Sequence, residues 1–357
     1  MEFTFFIVCP PGLESLAKSE LVGKLSSRLA YKAFPPITLI QGGLEIELPL
    51  MHGLELNYWL RIPSRILIRL KTQTCRDLPK LYSLLSKIPW RDYLQQNNVK
   101  FKVSSSNSRL IHTKRIEQTS IEAFEKYCQN HKLALYHQKK NYPQQTIYLR
   151  FDNDQLTISL DTTGDHLHKR GWSSHRGHAG IRENFAFACL EFLRNERETM
   201  LSLYDPMCGS ATFLSEFLNQ NKPLLNRKFS FHYWKNIPSI EIAVKPTVKL
   251  KAFGNDWNKD VLIPHEKGDF SLTNLDFFKI EKTPSDFIIM NPPYGKRIKI
   301  PVEPQRYFKN IYQKLESLSP RACGIIIPET FAKSLPATRQ LSFNQNGIRV
   351  KFLVFEF

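Results

Sequence analysis

The sequence predicts an α/β protein in which a mostly parallel sheet follows an α+β half. Three observations predict it. The chain has 357 residues, enough for two or three domains of about 150 residues each. Beyond about residue 161, apolar runs at 201–205, 248–256, 287–291 and 324–328 each end in a polar loop, and helical segments separate them. Strands that alternate with helices form parallel sheets, whose ligands sit at the carboxyl ends of the strands. The first 160 residues instead mix short strands and helices closed by turn signals, which reads as α+β.

The elements follow in order. Residues 3–9 form a short apolar run suited to a buried strand, and Pro10-Pro11-Gly12 breaks it. Leu13, Leu16, Ala17 and Leu21 then recur at helical spacing. Gly42-Gly43 is a turn before residues 44–48, which alternate like a half-exposed strand. Residues 54–60, 78–88 and 114–127 read as helices; 65–70 and 101–103 read as strands. Residues 146–150 and 155–160 read as a hairpin around Asp152-Asn153-Asp154. A linker-like stretch, 164–180, precedes a helix at 182–194. The final run, 348–357, reads as an antiparallel edge strand.

Charge narrows the class of partner. Lys plus Arg number 50 against 33 Asp plus Glu, a formal net charge of +17. Residues 61–150 hold 18 of the cations and only 5 of the acids. Each cation near a phosphate releases a counterion, so this region is expected to bind nucleic acid in a salt-dependent way. The cations are spread over ninety positions rather than one helix face, which argues against a membrane surface. No apolar stretch is long enough to span a bilayer. The start lacks the basic region of a signal peptide, and six scattered cysteines without a C-x-x-C pair suit a reducing cytoplasm.

Two motifs carry chemistry. The first is Asp205-Pro206-Met207-Cys208-Gly209-Ser210-Ala211-Thr212, a small-residue loop between a strand and a helix beginning near Phe213. Small residues let the backbone approach a ligand and leave helix amides free. An acid at the strand end suits an amino-bearing ligand better than a pyrophosphate. The second is Asn291-Pro292-Pro293-Tyr294 after the strand 287–290. The Asn side-chain oxygen and the Pro292 carbonyl can accept both protons of an exocyclic amine and draw its lone pair out of ring conjugation. Tyr294 offers a flat face for base stacking, worth about 1–3 kcal/mol.

The pair resembles the loops of S-adenosylmethionine-dependent amino-methyltransferases with a Rossmann-like fold. At finer grain the chain resembles bacterial 23S rRNA guanine-N2 methyltransferases of the RlmL type, which carry a THUMP domain. The resemblance rests on ordered signatures along nearly the whole chain: Cys9-Pro10-Pro11-Gly12-Leu13-Glu14, Asn57-Tyr58-Trp59-Leu60-Arg61, Ile88-Pro89-Trp90, Leu167-His168-Lys169-Arg170-Gly171-Trp172 and Ile181-Arg182-Glu183-Asn184. It implies three parts: a ferredoxin-like segment at 1–55, a THUMP RNA-binding domain at 56–163 and a methyltransferase domain at 164–357. It implies S-adenosylmethionine as cofactor, RNA, namely 23S rRNA, as partner, and no metal. Asp205 and the Gly209 backbone would hold the methionine part, and Pro206 and Cys208 of the same loop would also bind the cofactor. Asp256 would bind the ribose, Trp257 would pack on the adenine and Asp276 would accept from its amine. Asn291, Pro292 and Tyr294 would hold the target guanine.

Two departures from the family stand out. Ala211 replaces the third loop glycine, where a methyl group could crowd the cofactor, and the stretch between Asp256 and Asp276 is short for a full helix. They keep open a catalytically weakened RNA-binding assembly factor, beside tRNA guanine-N2 or DNA adenine-N6 methylation. His166, His168, His175 and His178 lie close together, but their surroundings suit a basic linker near RNA better than a zinc site.

Overall fold

The computed structural model describes residues 2–95, 98–135, 143–172, 180–195, 199–244, 248–262, 269–295, 300, 302–345 and 347–357. The first half is built on strand β1 (Glu2–Val8), helix α1 (Glu14–Leu29), β2 (Ile37–Ile40), β3 (Gly43–Pro49), α2 (Leu50–Trp59) and β4 (Arg65–Thr74). The buried residues Ala17, Leu21 and Leu25 recur every four positions and turn one face of α1 inward. Next come α3 (Leu78–Leu85), α4 (Trp90–Tyr93), β5 (Val99–Ser106), α5 (Thr113–Asn130), β6 (Gln145–Asp152) and β7 (Gln155–Asp161). All seven strands join one sheet in the order β2-β3-β1-β4-β7-β6-β5. The β1-α1-β2-β3-α2-β4 succession is a complete βαββαβ unit, so position 55/56 falls inside α2 and the ferredoxin-like arrangement runs on through β4.

The second half contains α6 (Glu183–Arg194), β8 (Ser202–Asp205), α7 (Thr212–Leu218), β9 (Lys251–Asn255), β10 (Phe270–Thr273) and β11 (Phe287–Met290). It ends with α8 (Pro304–Leu318), β12 (Ala322–Pro328), α9 (Glu329–Ala332), β13 (Arg339–Gln345) and β14 (Ile348–Glu356). The strand order is β10-β9-β8-β11-β12-β14-β13. The first five strands are parallel; β14 runs antiparallel to β12, and β13 antiparallel to β14. Both faces are covered, as parallel sheets require. Phe287 and Ile289 join the cluster shared with α6 and α7, whereas Ile288 and Met290 join the one shared with α8.

The C-terminal run is not the edge strand expected of it. β14 lies between β12 and β13, and β13 forms the edge. Only Leu341 and Phe343 alternate as apolar residues in that polar strand, so its pattern is faint. Within the linker-like stretch, residues 164–172 are more ordered than their composition suggests, and 173–179 lie outside the described residues. Leu167 is fully buried and its amide reaches the Ser64 carbonyl at 2.8 Å. Arg170 and Glu216, both buried, pair at 3.3 Å, and Arg170 also donates to the Arg61 carbonyl. Trp234 bonds Gln145 at 2.9 Å, so the segment between α7 and β9 clasps the first sheet. All six cysteines are buried and free. Among the described residues, no helix is long and apolar enough to cross a membrane.

Candidate active site

The sheet grows outward from β8 in two directions. β9 and β10 follow on one side, and β11 and β12 on the other. The reversal of strand order therefore lies between β8 and β11. Open α/β sheets hold ligands in the crevice outside the carboxyl ends of the strands at such a point. Tyr204 of β8 pairs with Ile288 of β11, and Asp205 pairs with Gly254 of β9. The register thus brings the Asp205 loop, the Asp256 loop and the Asn291 loop to one end of neighbouring strands.

Asp205 closes β8 and is 2% exposed. One carboxylate oxygen accepts from the Met207 amide at 3.1 Å. Burial pushes its pKa well up, and the nearby Asp256 adds to the rise. A buried carboxylate without a cation is costly in its charged form, and a cationic group brought beside it relieves that cost. Gly209 takes a left-handed φ of 47°, which suits glycine, and its amide donates to Asp256 Oδ2 at 3.0 Å. Asp256 Oδ1 accepts from the Asn258 amide at 2.9 Å, and burial raises this carboxyl as well. Trp257, which follows Asp256, is 71% exposed. Asp276 is exposed and caps a 3-10 turn, with Oδ1 accepting from the Phe278 amide at 3.0 Å.

The sequence reading missed the residue that ties these loops together. Asn255 is fully buried at the end of β9. Its Nδ2 donates to the Pro206 carbonyl at 3.0 Å and to the Leu275 carbonyl at 2.9 Å. Its Oδ1 accepts from the Leu275 amide at 3.0 Å and the Thr273 hydroxyl at 2.9 Å. Its own carbonyl takes the Cys208 amide at 2.9 Å. Its only sequence signal was a polar residue at a strand end, which is common in loops. Replacing Asn255 with Ala leaves several buried groups unpaired. It is expected to destabilise the protein by about 3 kcal/mol in urea denaturation. Asn274 adds a second tie, donating to the carbonyls of Asp256 and Trp257.

Cys208 is a packing residue. Burial raises its thiol pKa far above the usual range, and a methyl group at Gly254 would lie only 3.1 Å from its sulfur. Ala211 does have the left-handed backbone (φ 53°) that a glycine would fill more easily. Its methyl is not positioned to crowd a ligand in the crevice, because the residue is 1% exposed and sits in the core cluster with α7. Between Asp256 and Asp276 the described residues form a 3-10 turn at Lys259–Val261 and the short strand β10, which accounts for the brevity of that stretch.

On the other side of the crevice, Asn291 follows the last residue of β11, and Pro292 is buried. The Tyr294 hydroxyl donates to Asn291 Oδ1. The Tyr294 ring packs against the clusters on both faces of the sheet and is half-buried, so it is held in place beside Asn291. Burial raises its phenol far above the usual range, which keeps the hydroxyl proton available for that bond. The candidate metal cluster divides: His166 and His168 stack at 5.2 Å, and His175 and His178 lie outside the described residues.

Parallel strands that reverse order at β8/β11, with an acidic small-residue loop on one side, define a Rossmann-like methyltransferase fold. Residues 170–341 match the family described as UPF0020: RMKL-like, methyltransferase domain. The chain is 25% identical to "Ribosomal RNA large subunit methyltransferase K/L" of Acinetobacter baumannii (strain AYE), covering 98% of this chain and 52% of that protein. It thus spans about half the length of that relative. It is also 25% identical to "Putative RNA methyltransferase slr0064" of Synechocystis sp., covering 82% of this chain and 80% of that one. Among solved structures, SMU.472, a putative methyltransferase complexed with SAH, superposes with a TM-score of 0.79 at 20% identity. That match covers 99% of this chain and 98% of SMU.472.

Proposed function

We propose that this protein is an S-adenosylmethionine-dependent RNA methyltransferase whose target is the N2 amine of a guanine in 23S rRNA. The observation that carries the reading is the adjacency of the Asp205 loop and the Asn291 loop across the β8/β11 switch point. The relatives named as RNA methyltransferases favour an RNA substrate, and the basic first half agrees with them. The likeness to a K/L enzyme favours large-subunit rRNA over tRNA.

The residues present fit this cofactor. Among the described residues no cation pairs with the buried Asp205 carboxylate, and the ammonium of a methionine moiety would provide one. Each Asp256 oxygen takes one backbone amide and keeps a lone pair that can accept a ribose hydroxyl. Trp257, Leu275 and Phe278 are exposed large apolar residues in the segments that follow β9 and β10, suited to an adenine ring. Asp276 has a second oxygen for the adenine amine. When bound, the cofactor supplies an electrophilic methyl group.

Everything else falls to the chain. Asn291 Oδ1 and the Pro292 carbonyl accept the amine protons and so direct the nitrogen lone pair. Tyr294 holds the Asn291 amide by its hydroxyl and lends the incoming base an aromatic neighbour. The guanine must leave its stack for its edge to reach this loop. A THUMP-type domain built on β5–β7 would hold the RNA, and a cytoplasmic site of action follows from that substrate. Titration calorimetry with S-adenosylmethionine tests the reading. Binding at one site per chain is expected, and an absence of heat near physiological concentration would favour a non-catalytic assembly factor.

A further inference from the structure

We infer that the Glu329 carboxylate accepts the N1–H of the target guanine and so selects guanine over adenine at the crevice. The inference rests on the guanine-N2 reading above and adds to it the group that reads the base.

Position singles this residue out. β8 ends in Asp205, and Asp256 and Asp276 follow β9 and β10, all on the side of the switch point assigned to the cofactor. On the other side, β11 leads into Asn291 and β12 leads into Glu329. These two strands run parallel with Met290 opposite Ile325, so β12 continues through Ile326, Ile327 and Pro328 past the end of β11. Glu329 thus emerges at the same end of the sheet as the Asn291 loop, from a strand about 4.8 Å away. Its segment is anchored there. Pro328 and Ala332 are buried, and the Phe331 ring stacks on Phe308 at 5.6 Å. Phe331 and Tyr294 pack against the same apolar cluster. Thr330 and Lys333 are exposed, whereas Glu329 is half-buried and shares a helix face with Ala332, three positions on. Among the described residues, no hydrogen bond or ion pair engages the Glu329 carboxylate, not even with Lys333 one turn away. In a chain of net charge +17, a half-buried acid is left uncommitted next to the loop that would grip an amine.

The edge of the base decides what such an acid selects. Asn291 Oδ1 and the Pro292 carbonyl accept amine protons, and by themselves they suit adenine N6 as well as guanine N2. The two bases differ at the next atom. Guanine carries an N1–H beside its amine, whereas adenine carries a bare N1 lone pair. An ionised carboxylate only accepts, so it pairs with the guanine N1–H and repels the adenine N1. Hydrogen bonds to a charged acceptor are the stronger kind, and a site built to receive a donor rejects an analogue that lacks it. A flipped base is read along this same edge.

The test uses the purified full chain, labelled S-adenosylmethionine and 23S rRNA fragments that carry the methylated nucleotide. One fragment has guanosine there. The other has 2-aminopurine riboside, which keeps the 2-amino group and lacks the N1–H. The parent is expected to prefer guanosine by about 100-fold in kcat/KM. Glu329→Ala should lower kcat/KM on guanosine by about 10–100-fold and leave 2-aminopurine within about threefold, so the preference collapses. Glu329→Gln keeps an acceptor oxygen without the charge and should recover part of the preference. A purely structural role would lower both substrates alike. Melting and calorimetry with S-adenosylmethionine should match the parent in both variants. If Glu329→Ala and Glu329→Gln keep the full guanosine preference while the parent methylates guanosine N2, the role of Glu329 is overturned and the guanine reading stands. A parent that labels adenosine, or nothing, overturns the guanine reading and the role of Glu329 with it.

Discussion

Replacing Asn291 with Ala is expected to lower kcat by about 10²–10³-fold, or about 3–4 kcal/mol of barrier, while RNA and cofactor affinity stay near the parent values. The loss falls on kcat because the side-chain oxygen acts on the amine as its nitrogen becomes nucleophilic. Little of the RNA surface rests on that single group. The substitution also removes the acceptor of the Tyr294 hydroxyl, which costs at most about 1–3 kcal/mol of stability and is read separately by melting. Asn291→Asp keeps an acceptor oxygen and is expected to recover part of the rate. Full turnover by the Ala variant would remove Asn291 from the mechanism.

Asp205→Asn should separate stability from function. The variant keeps an oxygen for the Met207 amide and removes a buried charge. Cofactor affinity is expected to fall about 100-fold or more, because a cation would then be buried without its counter-charge. The ligand-free protein should become more stable at neutral pH. The sign follows from the raised folded-state pKa of Asp205. Its favourable contribution is fully present below the unfolded carboxyl value of about 4 and is lost as pH rises through the folded value. The stability advantage of the variant should thus be small near pH 4 and widen toward neutrality in ligand-free melts. An advantage that is flat with pH would mean that Asp205 is not a strained, charge-seeking carboxylate.

These two residues were legible in the sequence because each ends an apolar run and starts a loop of unusual composition. The parallel strands β8, β9, β11 and β12 were visible for the same reason, since strands buried on both faces read as continuous apolar runs. β2, β10 and β13 were harder. They are short or polar edge strands, and burial no longer marks their pattern. Asn255 was invisible for another reason. Its importance lies in bonds to Pro206, Thr273 and Leu275, which only the sheet register brings together. The methyl of Ala211 illustrates the converse. Position in a motif suggested a clash, but the direction of its Cβ is set by the left-handed turn that buries it against α7.

In the proposed reaction one crevice presents a methyl donor and a guanine amine to each other. It is tested most directly by incubating the purified protein with isotope-labelled S-adenosylmethionine and deproteinised 23S rRNA, then identifying the labelled nucleoside by mass spectrometry. Label in N2-methylguanosine is expected, appearing at least about 100-fold more slowly with Asn291→Ala. Label in N6-methyladenosine, or no label from a parent protein that binds both the RNA and S-adenosylmethionine, would contradict it.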